Sequence, residues 1–268
     1  MLQILNSSHI PTDVLEFLNR KPEAHSFLAS RLQALHERSR SEALIYRSQF
    51  GVEGVTYIGA NLLPSFTSRG GAFGTADYLK SRALTFSSIV GEAESVFTLW
   101  EFIKHLTPRA RLIREHQPLL SISSEPLIPS DPKVRLATRD DLELVISAGI
   151  EMFIGEVGEP PNLTDFRARA IELIDEGRTF IRREGDEILF KADIGAIGAG
   201  ALQIHGVWVP VAYRGRGFGS HGMASVIRLS NKFAPRACLY VNDFNLAARV
   251  SYKKVGFVEV GEFASIFL

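Results

Sequence analysis

What this chain lacks narrows its chemistry first. It has one cysteine in 268 residues, Cys238, so no internal disulfide framework forms, as expected in a reducing cytoplasm. Lys plus Arg and Asp plus Glu are 30 each, a balance that gives no support for nucleic acid or an anionic membrane as partner. No apolar run approaches the ~18 residues that a membrane-spanning helix needs. The start, Met1-Leu2-Gln3-Ile4-Leu5, has neither a basic stretch nor a signal-length apolar segment. The expectation is a cytoplasmic protein. His9, His25, His36, His105, His116 and His221 are scattered, with no H-E-x-x-H and no cysteine pair, so no metal site is expected. There is no G-x-S-x-G elbow, no G-K-[ST] of a P-loop and no G-x-G-x-x-G dinucleotide fingerprint.

What is present suits a compact protein of one or two domains: 46% hydrophobic and 22% charged residues, an ordinary balance for a soluble core. Apolar spacing predicts helices over 12–19 and 23–35, strands over 43–50 and 54–60, then a helix over 75–84, a strand over 86–90 and a helix over 92–106. Residues 61–66 depart from a simple hairpin, and Ser68-Arg69-Gly70-Gly71 reads as a turn. Pro108, Pro118, Pro126, Pro129 and Pro132 mark an extended crossing segment, with 116–122 as a last strand of a first domain. The boundary is placed near Ser130, giving domains 1–130 and 131–268. Beyond it come a strand (134–138), helices (140–153 and 165–175), paired strands (178–182 and 187–193), a glycine-rich loop (195–200) and a strand (201–209). A helix (222–233), a strand (236–241), a helix (247–255) and two strand-like runs finish the chain.

Arg214-Gly215-Arg216-Gly217-Phe218-Gly219 sits between an apolar run ending Val207-Trp208-Val209 and a helical segment. Strand, glycine-rich turn and helix start together present consecutive main-chain N–H groups, aided by the helix dipole and two arginines. That is an anion cradle suited to a pyrophosphate. Further on, Asn242-Asp243-Phe244-Asn245 is a polar turn with capping residues, and Gly256-Phe257 ends the short helix that follows.

These two stretches carry a resemblance. Arg214-Gly215-Arg216-Gly217-Phe218-Gly219 is similar to the [QR]-x-x-G-x-[GA] signature of the GCN5-related N-acetyltransferases. Asn245, Ala248, Tyr252, Gly256 and Phe257 match that family's second signature, roughly thirty residues on and in the right order. The segment from Val134 to Leu268 resembles the family throughout. The first half resembles the extra, degenerate acetyltransferase-like domain of a bacterial subgroup. The resemblance implies an α/β (α+β) fold whose mixed central sheet splits open beside the cradle, flanked by helices and preceded by a smaller α/β domain. It also implies acetyl-coenzyme A as acyl donor substrate, a primary amine acceptor, and direct attack of the amine on the thioester. The acceptor is expected to be a small molecule. A protein lysine or N-terminal amine, or a non-catalytic acyl-coenzyme A sensor, remain the alternatives, and a homodimer stays open.

By the same resemblance Val207, Trp208 and Val209 would hold the pantetheine as an added strand, with one N–H facing the thioester carbonyl. Arg214, Gly215, Arg216, Gly217, Phe218, Gly219 and Ser220 would hold the pyrophosphate. Asn245 and Ala248 would steady the arm. Tyr252 falls seven residues after Asn245, on nearly the same helix face; it is either a helix anchor or the acid that protonates the leaving thiolate. The base is open between His205, Glu156 and Asp193, and a chain of waters can replace all three. In strict alternation His205 shares a face with Val207 and Val209, and it is read first as a satisfied structural histidine. Glu156 is read in a loop after the first helix of the second domain, where Glu151 and Glu159 join it as a hint of a cationic acceptor. Cys238 lies in an apolar strand and is read as core.

Overall fold

The computed structural model describes residues 1–5, 9–35, 41–158 and 160–268; His36 and Glu159 lie outside them. Its first half runs β1 (Leu2–Ile4), α1 (Thr12–Asn19), α2 (Pro22–Gln33), β2 (Glu42–Ser48), β3 (Gly51–Ile58), β4 (Asn61–Phe66), α3 (Arg69–Leu79), β5 (Ser88–Glu92), α4 (Ala93–Ile103) and β6 (Leu112–Ile122). The second runs β7 (Val134–Leu136), α5 (Leu142–Val157), α6 (Leu163–Asp175), β8 (Thr179–Glu184), β9 (Glu187–Gly198), β10 (Ala201–Trp208), α7 (Phe218–Ser230), β11 (Arg236–Tyr240), α8 (Leu246–Val255) and β12 (Val258–Phe267). Both halves end in the same strand–helix–strand–helix–strand order, a tandem arrangement.

The strands form one mixed sheet of 12, in the order β1-β2-β3-β4-β5-β12-β6-β11-β10-β9-β8-β7. Among the described residues, only β4 with β5 and β10 with β11 run parallel. The two halves meet by exchanging strands: β12 lies between β5 and β6, and β6 lies between β12 and β11. The expected boundary near Ser130 falls in the connection from β6 to β7. The two strand-like runs expected at the C-terminus are one strand, β12, bent at a register shift between Glu259 and Gly261.

Helices α1, α2, α5 and α6 cover one face of the sheet, and α3, α4, α7 and α8 the other. Alternation sorts the strand residues accordingly. Leu63 and Val90 pack with α1 and α2, while Leu62 and Ile89 pack with α3 and α4. Phe190, Leu202 and Ile204 pack with Met223 and Ala224 of α7.

Several elements differ from the sequence expectation for identifiable reasons. Residues 61–66 are a strand, and the glycine-rich turn at 68–71 opens α3. Burial of Ala72, Thr75, Ala76 and Leu79 along one side outweighs the poor helix propensity of its glycines. The loop expected at 195–200 is mostly strand: β9 runs to Gly198, and Ala199 and Gly200 (φ 51° and 75°) make a two-residue hairpin turn of the kind favoured by strand twist. Helix α5 continues to Val157, where Gly158 closes it in a left-handed cap by donating to Ile154 O (2.8 Å). Glu156 therefore stands on the last turn of a helix, where a loop was expected.

Candidate active site

The cradle forms as a consequence of what β10 does before it. β10 pairs with β11 over Ala201–Arg236, Leu202–Ala237 and Gln203–Cys238 and no further. Past that point β11 follows β6, with Val241 N donating to Pro118 O (3.2 Å), and a gap opens between β10 and β11. Gly206, at φ +63°, lies in a bulge where the register with β9 shifts between His205 and Trp208. A Cβ there would stand 2.8 Å from Asp193 Oδ2 and 3.4 Å from Lys191 Nζ, so only glycine lets the strand cross this buried ion pair.

The bulge overturns the expected alternation. Val207 and Val209 join the Ile204 cluster on the α7–α8 face. His205 stays beside Asp193 on the opposite face, and Trp208 turns towards α5 and α6.

After β10 the chain makes one tight turn over 211–213 and enters the cradle. Arg214 Nε donates to Val209 O (3.2 Å), tying loop to strand. Gly215 and Gly217 take φ +74° and +88°, and Gly217 is the N-cap of α7. Glycine adopts that conformation with the least strain, and the turn opens the first N–H groups of α7. Arg216 lies over the Tyr213 ring (5.4 Å), and Phe218 is wedged inward between Tyr213 (5.9 Å) and the Arg182 guanidinium (4.3 Å). Phe218 and Gly219 thus present main chain to the cradle. The Ser220 hydroxyl donates to Gly217 O (3.2 Å), which shapes the turn.

Across the gap, Asn245 caps α8 by accepting from Ala248 N through its side-chain oxygen (3.2 Å), leaving its amide N–H₂ for another acceptor. Tyr252, on α8, is buried beside Phe257 (5.8 Å), which follows the helix. Burial, and secondarily the Glu156 carboxylate, raises its phenol well above the ordinary value, so the hydroxyl keeps its proton throughout the neutral range.

The other ionisable groups separate by environment. Glu156 is solvent-exposed on the last turn of α5, and partial desolvation by the surrounding protein raises its carboxyl while Arg114 opposes the rise. Arg114 Nη2 donates to Glu156 O (2.9 Å), and its guanidinium lies over Phe267 (5.2 Å). Tyr240, stacked on Phe263 (5.2 Å), is raised by burial and by the same Glu156. Glu156, Arg114, Tyr240 and Tyr252 thus converge at the gap. Sequence reading singled out Glu156 and Tyr252 only; Arg114 and Tyr240 belong to no motif and are brought there by the strand exchange.

His205 is solvent-exposed, its ring held flat against Gly195. Desolvation, opposed by Asp193 and reinforced by Lys191, Arg169 and Arg31, pushes it down to about 4, so the imidazole is neutral at pH 7 and a weak base. Asp193 is buried between Thr179 Oγ1 (2.8 Å) and Lys191 Nζ, its charge already neutralised. Glu151 is exposed on α5. Cys238 is fully buried with its thiol pushed up to about 12, which disqualifies it as a nucleophile at neutral pH.

Comparison with known proteins adds three findings. Residues 151–257 match the acetyltransferase (GNAT) family, and residues 42–145 match a domain of unknown function (DUF4081). No curated protein matches. Among solved structures, a Drosophila protein aligns with a TM-score of 0.71 at 13% identity, covering 100% of this chain and 98% of that one. A tandem GNAT protein from the clavulanic acid biosynthesis pathway aligns at 0.59 and 12%, covering 99% and 98%. A GCN5-related N-acetyltransferase from Sphaerobacter thermophilus aligns at 0.59 and 14%, covering 99% and 94%. At these identities the likeness is one of fold.

Proposed function

Residues 151–257 belong to the acetyltransferase (GNAT) family, enzymes that move an acyl group from an acyl-coenzyme A, and from that premise we propose that this chain transfers an acetyl group from acetyl-coenzyme A to the primary amine of a small molecule. The observation that carries this reading is the cradle at the start of α7 standing beside the gap between β10 and β11. The cradle supplies N–H groups for a pyrophosphate, and the gap offers the edge of β10 to a pantetheine amide chain. Val207, Trp208 and Val209 form that edge, and Asn245, at the head of α8, keeps its amide N–H₂ for the arm. A small acceptor is favoured because β6, a strand of the first half, borders the gap beyond the end of β11.

The residues divide the reaction among them. Glu156, with its raised carboxyl, takes a proton from the acceptor ammonium, and the neutral amine attacks the thioester carbonyl directly. A main-chain N–H of the β10 edge stabilises the oxyanion. As the C–S bond breaks, Tyr252 gives its proton to the departing thiolate and is reprotonated through solvent. His205, neutral and a weak base, takes no part in the proton transfers. The division at residue 130 is retained as a proposal, with the second half carrying the chemistry and the first half shaping the acceptor side.

The test is Tyr252→Phe, followed by thiol release from acetyl-coenzyme A with an amine acceptor. Loss of the proton donor lowers kcat by roughly 10²-fold while acetyl-coenzyme A still binds. An unchanged kcat would remove Tyr252 from the chemistry.

A further inference from the structure

The acceptor side of the gap holds one feature that amine acylation alone does not require, a guanidinium delivered by the first half of the chain. β6 outruns β11: Leu119 of β6 is the partner of Tyr240, the last residue of β11, and β6 extends seven further residues to Leu112. Val241 N and Asp243 N still donate to Pro118 O and His116 O at the near end of that overhang; beyond it β6 pairs with β12, and Arg114 stands there opposite Ser265. Its side chain reaches back over the sheet to the last turn of α5, where one N–H bonds Glu156 O at 2.9 Å while the plane rests on Phe267 at 5.2 Å. Two such anchors hold the guanidinium in one orientation and use one of its five donors.

Among the described residues, no carboxylate lies within 4.0 Å of Arg114, whereas Arg47, Arg69, Arg135, Arg139 and Arg167 each have one. Glu156 does not play that part: Arg114 bonds its main-chain oxygen, and its carboxyl remains raised by desolvation. A half-buried guanidinium next to a carboxyl it does not neutralise forms a two-charge reader. The carboxylate takes an ammonium, and the planar fork takes an anion with two oxygens. The Tyr240–Phe263 stack, 5.2 Å between centroids, lies on the same face and gives a flat apolar wall.

Resting on the acyltransferase reading, we infer that the acceptor is a zwitterion, an amino acid or close analogue whose amine is held by Glu156 and whose carboxylate is held by Arg114. The first half of the chain thereby sets acceptor specificity through a strand it contributes to the shared sheet.

The experiment pairs each of the common amino acids with its carboxamide as acceptor, in the full-length protein, and follows thiol release from acetyl-coenzyme A. The best acid is expected to exceed its amide at least tenfold in kcat/KM. Arg114→Gln should collapse that ratio towards one, and Arg114→Lys, which keeps the charge without the fork, should fall between. Thermal melting of each variant shows whether it is folded. Equal use of acid and amide by the wild type, reaction of amides alone, or a loss in Arg114→Gln that is the same for both members of a pair would overturn the inference. Absence of turnover with every amine also overturns it, and whether acetyl-coenzyme A binds then decides if the acyltransferase reading falls with it.

Discussion

Glu156 and His205 are both read from sequence as candidate bases, and their surroundings pull them in opposite senses. Crowding raises the Glu156 carboxyl and pushes the His205 imidazole down to about 4. The glutamate is the one whose conjugate acid lies closer to the working range. The account therefore predicts that kcat, at saturating amine, rises with pH as Glu156 loses its proton, with an apparent pKa above that of a free glutamate. Glu156→Gln should erase this limb and lower the plateau by roughly 10–10²-fold. The stability effect has a definite sign: a carboxyl raised in the folded state weakens folding as pH rises through that pKa. Melting of Glu156→Gln should accordingly occur higher than wild type at pH 7 and converge with it near pH 4. At this scale the sequence is informative where the chemistry is local. The Asn245-to-Tyr252 spacing and the Gly217 turn each depend on neighbours within a few residues. Arg114 and Tyr240 meet Glu156 only through long-range pairing and leave no local pattern.

Elements were legible to the degree that their own residues decide them. Helix α8 has its Asn245 cap and its Gly256 stop, at φ +114°, and both are visible in the sequence. The bulge at Gly206 and the exchange of β6 and β12 are decided by partners far along the chain. The exchange has a mechanical consequence. Gln117 of β6 is buried, accepts from Ser265 Oγ of β12 (2.6 Å) and donates to Asn242 Oδ1 (2.9 Å). Asn242 O in turn accepts from Asn245 N (2.9 Å), so a strand of the first half braces the loop that carries Asn245. Gln117→Leu would strand two polar partners at a cost of about 1–3 kcal/mol. A melting point several degrees lower is expected, together with a severalfold higher KM for acetyl-coenzyme A. Asn242→Ala should do the same, and the double variant should be less than additive. Additive effects on KM would show that the brace does not reach the loop.

In the whole molecule, one sheet carries two similar halves with unequal gaps. The gap between β10 and β11 is open beside a cradle of left-handed glycines. Its counterpart between β4 and β5 is closed from both faces. Ser95 of α4 accepts from Phe66 N (3.0 Å), and His25 of α2 bridges Leu18 O and Ser65 Oγ (2.8 Å each). Arg69, at the start of α3, is paired with Glu101 (2.8 Å) and lies over Phe102 (5.4 Å). The resemblance of the first half to a degenerate copy was legible as a missing cradle; the plugging of its gap by α2 and α4 was not, since it requires contacts across the sheet. The measurement that bears most directly on the account is a calorimetric titration of the full-length protein with acetyl-coenzyme A, repeated on Gly217→Val. The account predicts one site per chain, and affinity at least tenfold weaker when a branched side chain is forced to φ +88° at the head of α7. Two sites per chain, or undiminished binding by the variant, would contradict it.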